Sequence, residues 1–411
     1  MTYIELFAKL HIENLCSSLI SVPDRIVLIG DSMKTLKRDS MRYEALLAGR
    51  GFHPEFILKG VSHNNMDRIV RILCELIETY DDCVFDITGG EDVYLVAAGI
   101  AVSRYPDKHI QMHKINIKNG NIIDCDMDGT TIEKTLDPSL SVNEYITLYG
   151  GQRKYADGDD IFDWNLDNTF RDDLATMWNI CRKNHREWNA QISAFSHIAR
   201  NENFREDGSF TPADRSGLNS AVLCHYNRII SDLQKNGLIC YEEQQDKISL
   251  SFKNASVKLC LTTIGQVLET VVFTAASGLL DESGKPVFND VQNHVLIGWD
   301  EQKPSAGNPV DTQNEIDVML TRGMVPVFIS CKNGRFTSEE LFKLNSVAEN
   351  FGGKYAKKVL VTTYLTELMQ SKPVAAQHLL QRANELNIRI VANAEAYSMS
   401  KLESVIGTFG I

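Results

Sequence analysis

The stretch from Asn314 to Gly334 constrains this chain more than any other. Asn314-Glu315-Ile316-Asp317-Val318-Met319-Leu320 and Val325-Pro326-Val327-Phe328-Ile329-Ser330-Cys331-Lys332-Asn333-Gly334 are apolar runs joined by the turn-like Arg322-Gly323, so they read as a β-hairpin. Charged and polar side chains stand where a buried strand carries Val or Ile. Side chains alternate along a strand, so Glu315 and Asp317 share one face of the first strand, and Ser330 and Lys332 one face of the second. Paired in the obvious register, the hairpin brings two carboxylates and one ammonium to a single spot. Such a cluster beside so much apolar surface predicts a bound metal ion and a hydrolytic site.

Phosphodiester hydrolysis is the chemistry that fits. It needs a nucleophilic water, charge neutralisation on the phosphate and help for the leaving oxygen, and divalent ions on acidic side chains supply all three. Hard oxygen ligands suit Mg2+ or Mn2+. A nearby lysine orients the water or stabilises developing charge. The bland alternative is an Asp317–Lys332 ion pair closing a sheet edge, a weak contributor to stability.

Composition narrows the setting. At 411 residues the chain predicts two or three domains. A hydrophobic share of 43% with 23% charged residues is globular rather than disordered. The net charge of −12 excludes a protein coated in basic surface, so any nucleic-acid contact must be local. Nine cysteines without a Cys-x-x-Cys pair read as reduced thiols of a cytoplasmic protein. Neither a signal-peptide pattern at the start nor a bilayer-length apolar run is present, so no membrane is expected.

The chain is α/β, with three expected domains. Residues 1–148 alternate strand-like and helix-like segments, a doubly wound pattern. Arg25 to Asp31 and Cys83 to Gly90 are strands ending in polar turns, and Lys114 to Cys125 reads as a hairpin with a type I′ turn at Asn119-Gly120. Residues 149–262 change style, after Gly150-Gly151 and the acidic Asp157-Gly158-Asp159-Asp160. Thr169 to Arg200 is helical, a second helix is expected to open at Thr211-Pro212 and stop at Gly237, and strands follow over 238–242 and 247–252. Helix then hairpin is winged-helix-like, although no basic run marks a recognition helix. Residues 263–411 begin with a helix from Thr263 to Val272 and continue as three strands, a helix over 338–351 and a strand over 358–363.

A second constellation is Asp86-Ile87-Thr88-Gly89-Gly90-Glu91, at the end of a strand and the mouth of a helix. Two glycines let a ligand approach the backbone, and free N–H groups at a helix start favour phosphate oxygens. Asp31-Ser32 ends another strand, so both loops belong on the carboxyl edge of one parallel sheet. Other motifs fail. Gly278 to Pro286 has the wrong spacing for a P-loop, no Gly-x-Gly-x-x-Gly follows a strand, and the ten histidines, His185 and His197 among them, form no zinc spacing.

An acid on one strand, x-x-Lys on the next and an upstream helical Gly265-x-x-x-Glu269 resemble the PD-(D/E)xK restriction-endonuclease-like superfamily. The resemblance implies that Asp317 is the central metal ligand, Lys332 the catalytic lysine and Glu269 the helix glutamate. Glu315 and the backbone carbonyl of Cys331 would complete the ion's ligands. Ser330 stands where the superfamily usually has Glu or Asp, and Glu315, on the same face as Asp317, is expected to compensate. The N-terminal Asp-x-Thr-Gly-Gly turn resembles CARF domains, the Rossmann-like sensors of CRISPR defence. Together the two ends look like the type III CRISPR ancillary effectors that fuse such a sensor to such a nuclease, a group whose members include some with serine before x-Lys.

That resemblance implies a homodimer that binds a cyclic oligoadenylate, usually the tetra-adenylate, across its two-fold axis. Lys9, Asn14, Asp31, Ser32, Met33, Thr88, Gly89, Gly90 and Glu91 would contact the ligand. The implied output is metal-dependent cleavage of single-stranded RNA or DNA, or nicking of duplex DNA, with Lys343, Lys354, Lys357 and Lys358 as one basic surface gripping the backbone. The rival readings are a ligand-gated transcription regulator with an inert nuclease fold, and a constitutive repair or restriction nuclease.

Overall fold

Runs such as Ile26-Val27-Leu28-Ile29 are buried on both faces, which is why they pair in parallel under helices. The computed structural model describes residues 1–108, 110–125, 131–135, 138–154, 168–200, 212–214, 227–244, 247–299 and 314–409. Its first elements are β1 (Thr2–Leu6), α1 (Cys16–Ile20), β2 (Arg25–Gly30), α2 (Met33–Gly49), β3 (Glu55–Gly60), α3 (Met66–Thr79), β4 (Cys83–Asp86), α4 (Asp92–Ser103), β5 (Gln111–Asn116), β6 (Asn121–Cys125) and β7 (Thr131–Thr135). The sheet order is β3-β2-β1-β4-β5-β6-β7, parallel from β3 to β5 and antiparallel beyond. Strand progression reverses between β1 and β4, so the crevice at their carboxyl ends is the ligand position of a doubly wound sheet.

The expected β5–β6 hairpin is present, but its turn differs. Asn116 pairs with Asn121, leaving a four-residue loop in which Gly120, at φ 68°, donates its N–H to Asn116 O at 2.8 Å. Asn119 is not left-handed among the positive-φ residues, so this is no type I′ turn.

The middle of the chain holds α5 (Val142–Leu148), β8 (Gly151–Lys154), α6 (Asn168–Lys183), α7 (His185–Ala199), β9 (Pro212–Asp214), α8 (Asn227–Lys235), β10 (Ile239–Gln244), β11 (Lys247–Phe252) and α9 (Ala255–Thr262). The helical stretch after Thr169 breaks at Asn184, whose buried side-chain amide donates to Ile180 O at 2.8 Å. Pro212 does not open a helix. It begins β9, an edge strand antiparallel to β11, where its missing N–H is tolerated. Gly237, at φ 67°, does end α8. Thr211 and the Asp157–Asp160 run lie outside the described residues.

The last part comprises α10 (Gln266–Ser277), β12 (Asp290–Trp299), β13 (Asn314–Arg322), β14 (Val325–Lys332), α11 (Ser338–Gly352), β15 (Lys357–Thr362), α12 (Leu365–Ser371), α13 (Pro373–Glu385), β16 (Ile388–Val391) and α14 (Met399–Ile406). The sheet order is β16-β15-β14-β13-β12-β8, so a strand from just after Gly150 completes it. The helix expected from Thr263 begins at Gln266, because Gly265 adopts φ 90° and interrupts the chain after α9.

Two cores explain how the parts hold together. Trp178 and Trp188 of α6 and α7 are buried with Val318, Leu320, Val327 and Ile329 of the hairpin, and Trp178 Nε1 donates to Tyr397 O at 3.0 Å. A second core joins Leu28, Leu36 and Tyr43 of the first sheet's α2 side to Val295, Phe328 and Phe351. Cys16, Cys74, Cys83, Cys181, Cys240, Cys260 and Cys331 are free thiols. Among the described residues no helix is long and apolar enough to cross a membrane.

Candidate active site

The β13–β14 ladder runs from Arg322↔Val325 to Val318↔Ile329 and stops there. Past that point a backbone donor needs a new partner, and the Cys331 N–H finds the carboxylate of Asp317, at 2.6 Å from Oδ2. Ser330 Oγ donates to the same oxygen at 3.2 Å, and Lys332 Nζ lies 3.6 Å from it. The N–H and C=O of one strand residue point to the same side, so the Cys331 carbonyl lies on the Asp317 side of β14. Thus the expected hairpin register holds, and Asp317 takes the place of the next rung.

Glu269 approaches from α10. An added Cβ on Gly265 would sit 2.7 Å from Glu269 Oε1, which gives the Gly-x-x-x-Glu spacing its physical reason: the carboxylate folds back over the glycine. Glu269, Glu315, Asp317, Ser330 and Lys332 all line one cavity of 550 Å3, with Glu340, Lys343 and Leu344 of α11 opposite.

The electrostatics are those of a site short of positive charge. Burial, then the charge of Asp317, holds the Glu269 carboxyl well above the usual carboxylate range. Burial also raises Asp317, against the pull of Lys332. The Lys332 ammonium is disfavoured by burial, but Asp317 and Glu340 outweigh that and raise its pKa. Glu315 is lowered, chiefly by its contact with His294. A divalent cation would relieve the crowding of Glu269 and Asp317, so the donor chemistry fits one. Among the described residues no three His, Cys, Asp or Glu side chains form a metal-holding group, so main-chain oxygen and water would supply the remaining positions.

Two residues of this site, Glu340 and His294, were not singled out from the sequence. Glu340, 3.4 Å from Lys332 Nζ, sits one turn before Lys343 on α11, where it reads as part of an ordinary solvated face. His294 lies on β12 opposite Asp317, between the paired Asn293↔Val318 and Val295↔Ile316. Its φ of 47° is strained for a residue with a side chain, and its Nδ1 is 3.0 Å from Glu315 Oε1. Nothing in the spacing of ten histidines distinguishes it. Asn333, directly after Lys332, exchanges hydrogen bonds with Asn189 of α7, so the middle helices fix the end of β14.

The second set of expected residues lies along the carboxyl edge of the N-terminal sheet. Thr88 Oγ1 accepts the Ile115 N–H at 2.8 Å, and its own N–H donates to Asp86 Oδ1 at 2.7 Å, so the turn is fixed from within. Gly90 has φ 104° beneath Leu6, and Gly89 packs on Ala8 and Glu13 with no room for a Cβ. Glu91 is the N-cap of α4 and its side chain makes no capping bond. Ser32 caps α2 through the Thr35 N–H, and Met33 is 49% exposed beside Gly60. Lys9 is exposed. Asn14 differs: it is buried, and its amide is committed to both polar groups of the Ala8 backbone and to Tyr43 Oη. His63, absent from the sequence reading, stands 3.7 Å from Asp31 and 3.8 Å from Glu91.

One residue inside that edge, Glu5, Asp86 and His113 face one another across three strands, all but buried. Burial, then the charge of Asp86, pushes Glu5 well above the carboxylate range. A folded-state pKa above the unfolded one gives stability that is present at low pH and lost as pH rises through the folded value. Glu5→Gln is therefore expected to flatten the decline in melting temperature between about pH 5 and pH 8. Equal declines in variant and wild type would exclude Glu5 as its source.

The four expected lysines do not form one surface. Lys343 lines the Asp317 cavity, whereas Lys354, Lys357 and Lys358 line a separate one at the other end of β15. The register explains it: Lys357 pairs with Val327, and Lys332 with Thr362, five residues along.

No protein-family model matches the sequence, and no curated protein matches it. Solved structures do. Protein VC1899 from Vibrio cholerae is similar at a TM-score of 0.75 and 18% identity, over 99% of this chain and 97% of that one. Can2 from Sulfobacillus thermosulfidooxidans, in complex with cyclic tetra-adenylate, is similar at a TM-score of 0.67 and 18% identity, with the same coverage. From end to end, therefore, this chain has the α/β fold of VC1899 and Can2.

Proposed function

We propose that the chain is a cyclic-oligoadenylate-activated, metal-dependent nuclease of type III CRISPR defence, with a CARF sensor over residues 1–148, a winged-helix-like middle segment over 149–262 and a PD-(D/E)xK nuclease domain over 263–411. The observation that carries the reading is the meeting of Glu269, Glu315, Asp317 and Lys332 in one cavity at the open end of the β13–β14 ladder. An ion pair closing a sheet edge would need one acid, and here four line the cavity with the lysine, Glu340 included. That Can2 is known in complex with cyclic tetra-adenylate supports the same ligand class for the glycine turn over 88–90.

Mg2+ or Mn2+ is the expected cofactor, held by Asp317, Glu269 and the Cys331 carbonyl, with Glu315 serving where Ser330 replaces the usual acid. When bound, such an ion neutralises phosphate charge and acidifies the attacking water. The chain's own part is positional. Asp317 is aimed by the Cys331 N–H, Lys332 is held between Asp317 and Glu340 where it can orient a water or meet developing charge, and His294 holds Glu315 at the rim. At the other site, the uncapped start of α4 and the glycine turn suit a phosphate, and Asp31 and Glu91, with His63 between them, suit hydroxyl or amino groups.

A homodimer is part of the proposal. Helix α4 is apolar on all sides, and Val96 (54% exposed) and Ile100 (38%) lie uncovered on its outer face beside Gly99. Such a helix is normally buried, and a second copy would cover it.

The deciding experiment is cleavage of labelled single-stranded RNA, single-stranded DNA and supercoiled duplex with Mn2+, with and without cyclic tetra-adenylate. Cutting that requires both is expected. Cutting without the cyclic nucleotide supports a constitutive nuclease, and specific duplex binding with no cutting supports a regulator; either result ends this reading.

A further inference from the structure

The cavity at the amino-terminal end of β15 carries a charge that the protein as a whole does not. It measures 760 Å3 and is lined by Lys118 from the β5–β6 turn, Lys354, Lys357, Lys358 and Arg389, against the single carboxylate of Glu349. Glu13 lies behind Lys354, 2.6 Å from its Nζ. Five cations against two acids, in a chain of net charge −12, is a local reversal of sign. Lys358 sharpens the point. Its side chain is only 9% exposed, it donates to the neutral Asn345 at 2.6 Å, and its one carboxylate neighbour, Glu349, is 3.8 Å away. Burial accordingly lowers its pKa. A nearly buried ammonium whose carboxylate neighbour stands off at 3.8 Å has charge left to meet an anion.

We infer that this cavity binds the phosphodiester backbone of a single-stranded nucleic acid, as a second contact for the strand cut at Asp317. The inference rests on the nuclease reading. Shape favours the single strand: a cavity of 760 Å3 is too small to take in a duplex, whose major and minor grooves alone measure ~12 and ~6 Å across. Position makes it an accessory site. Five residues of β15 separate Lys357 from the level of Lys332, which is about 17 Å at ~3.3 Å per residue. That distance is at most about five nucleotide steps, because ~3.4 Å is the stacked spacing of a duplex and an unpaired strand reaches further per step. Strands of more than about five nucleotides reach both places, and a dinucleotide only the Asp317 cavity. Lys118 comes from the N-terminal sheet and the other cations from the C-terminal part, so the strand would lie across their junction.

The test is fluorescence anisotropy on the full chain carrying Asp317→Ala, with labelled oligo(dT) and oligo(rU) of ~16 nucleotides, the upper end of known single-strand site sizes. Adding Lys357→Glu and Arg389→Glu is expected to weaken binding at least ~10-fold and to reduce the slope of log K against log salt by about 1.4, at ~0.7 per phosphate contact. If that pair does not fold, Lys118→Glu on the exposed turn is expected to reduce the slope by about 0.7. Unchanged affinity and slope in a folded variant overturn the inference, as does a wild-type chain that binds no single strand at low salt. In chains with Asp317 intact, ~2-nucleotide substrates should be cut equally with and without the charge reversals, and substrates of more than about five nucleotides less well with them. A protein that holds the strand here yet never cuts contradicts the nuclease reading alone. One that cuts with no dependence on length or on these residues contradicts the accessory site alone.

Discussion

Asp317→Ala is expected to reduce Mn2+-dependent cleavage by at least ~10^3-fold, taking about 4 kcal/mol of transition-state stabilisation as the ion's contribution. The same variant is expected to bind cyclic tetra-adenylate with unchanged affinity, because Asp317 lies in the second sheet and the glycine turn in the first. The alanine also strips the Cys331 N–H of its acceptor and Lys332 of a partner, a change of about 1–3 kcal/mol in its own right. Asp317→Asn separates the two effects: it keeps an oxygen for the Cys331 N–H and loses the charge. Both variants inactive with ligand binding intact is the expected pattern. Retained cleavage in the asparagine variant would remove Asp317 from the metal.

The second large effect is at Gly89. A Cβ there would lie 2.7 Å from the Cβ of Ala8 and 2.8 Å from the Cβ of Glu13, so neither neighbour can yield by a rotamer change. Gly89→Ala must move backbone, at a cost of about 1–3 kcal/mol. What moves matters, because Glu13 is buried. Its Oε1 accepts from Tyr355 Oη at 2.7 Å and lies 2.6 Å from Lys354 Nζ. Gly353, at φ 58°, packs on Leu10 in the same junction. These residues follow directly on α11, whose first turn carries Glu340 against Lys332. A displacement at the glycine turn would thus reach one end of a helix whose other end touches Lys332. Gly89→Ala is expected to lose at least ~100-fold in activation by the cyclic nucleotide, about 2.7 kcal/mol of coupling and within the range of allosteric free energies. Mn2+ binding at the catalytic cavity, read by calorimetry, should not change. Normal activation of Gly89→Ala would show that the ligand sits elsewhere.

Much of this was legible before any coordinates. The hairpin, the side chains sharing each of its faces, the glutamate over Gly265 and the turn after β4 follow from alternation, turn chemistry and helical spacing, all of which act within a few residues. The errors are of the same local kind, resolved by distant partners. Pro212 has the chemistry of a helix start but is drawn into an edge strand by β11. Asn119-Gly120 has that of a two-residue turn but closes a four-residue loop. Asn14 looked like a ligand contact and is spent on the Ala8 backbone and Tyr43.

The sequence by itself determined which side chains share a face, those of the acids and lysine of the hairpin, and placed glycines where no side chain fits. Only the tertiary structure decided their surroundings. Glu340, His294 and His63 join their sites from strands, helices and loops that meet only once the sheets have formed. Glu13 and Tyr355, 342 residues apart, touch only because the two sheets pack on a shared core. The lysines that look like one basic patch are divided because β15 runs parallel to β14, which sends its first residues to the opposite end of the sheet from Lys332. Local rules set the direction of each side chain along its own element, and long-range packing sets what stands opposite it.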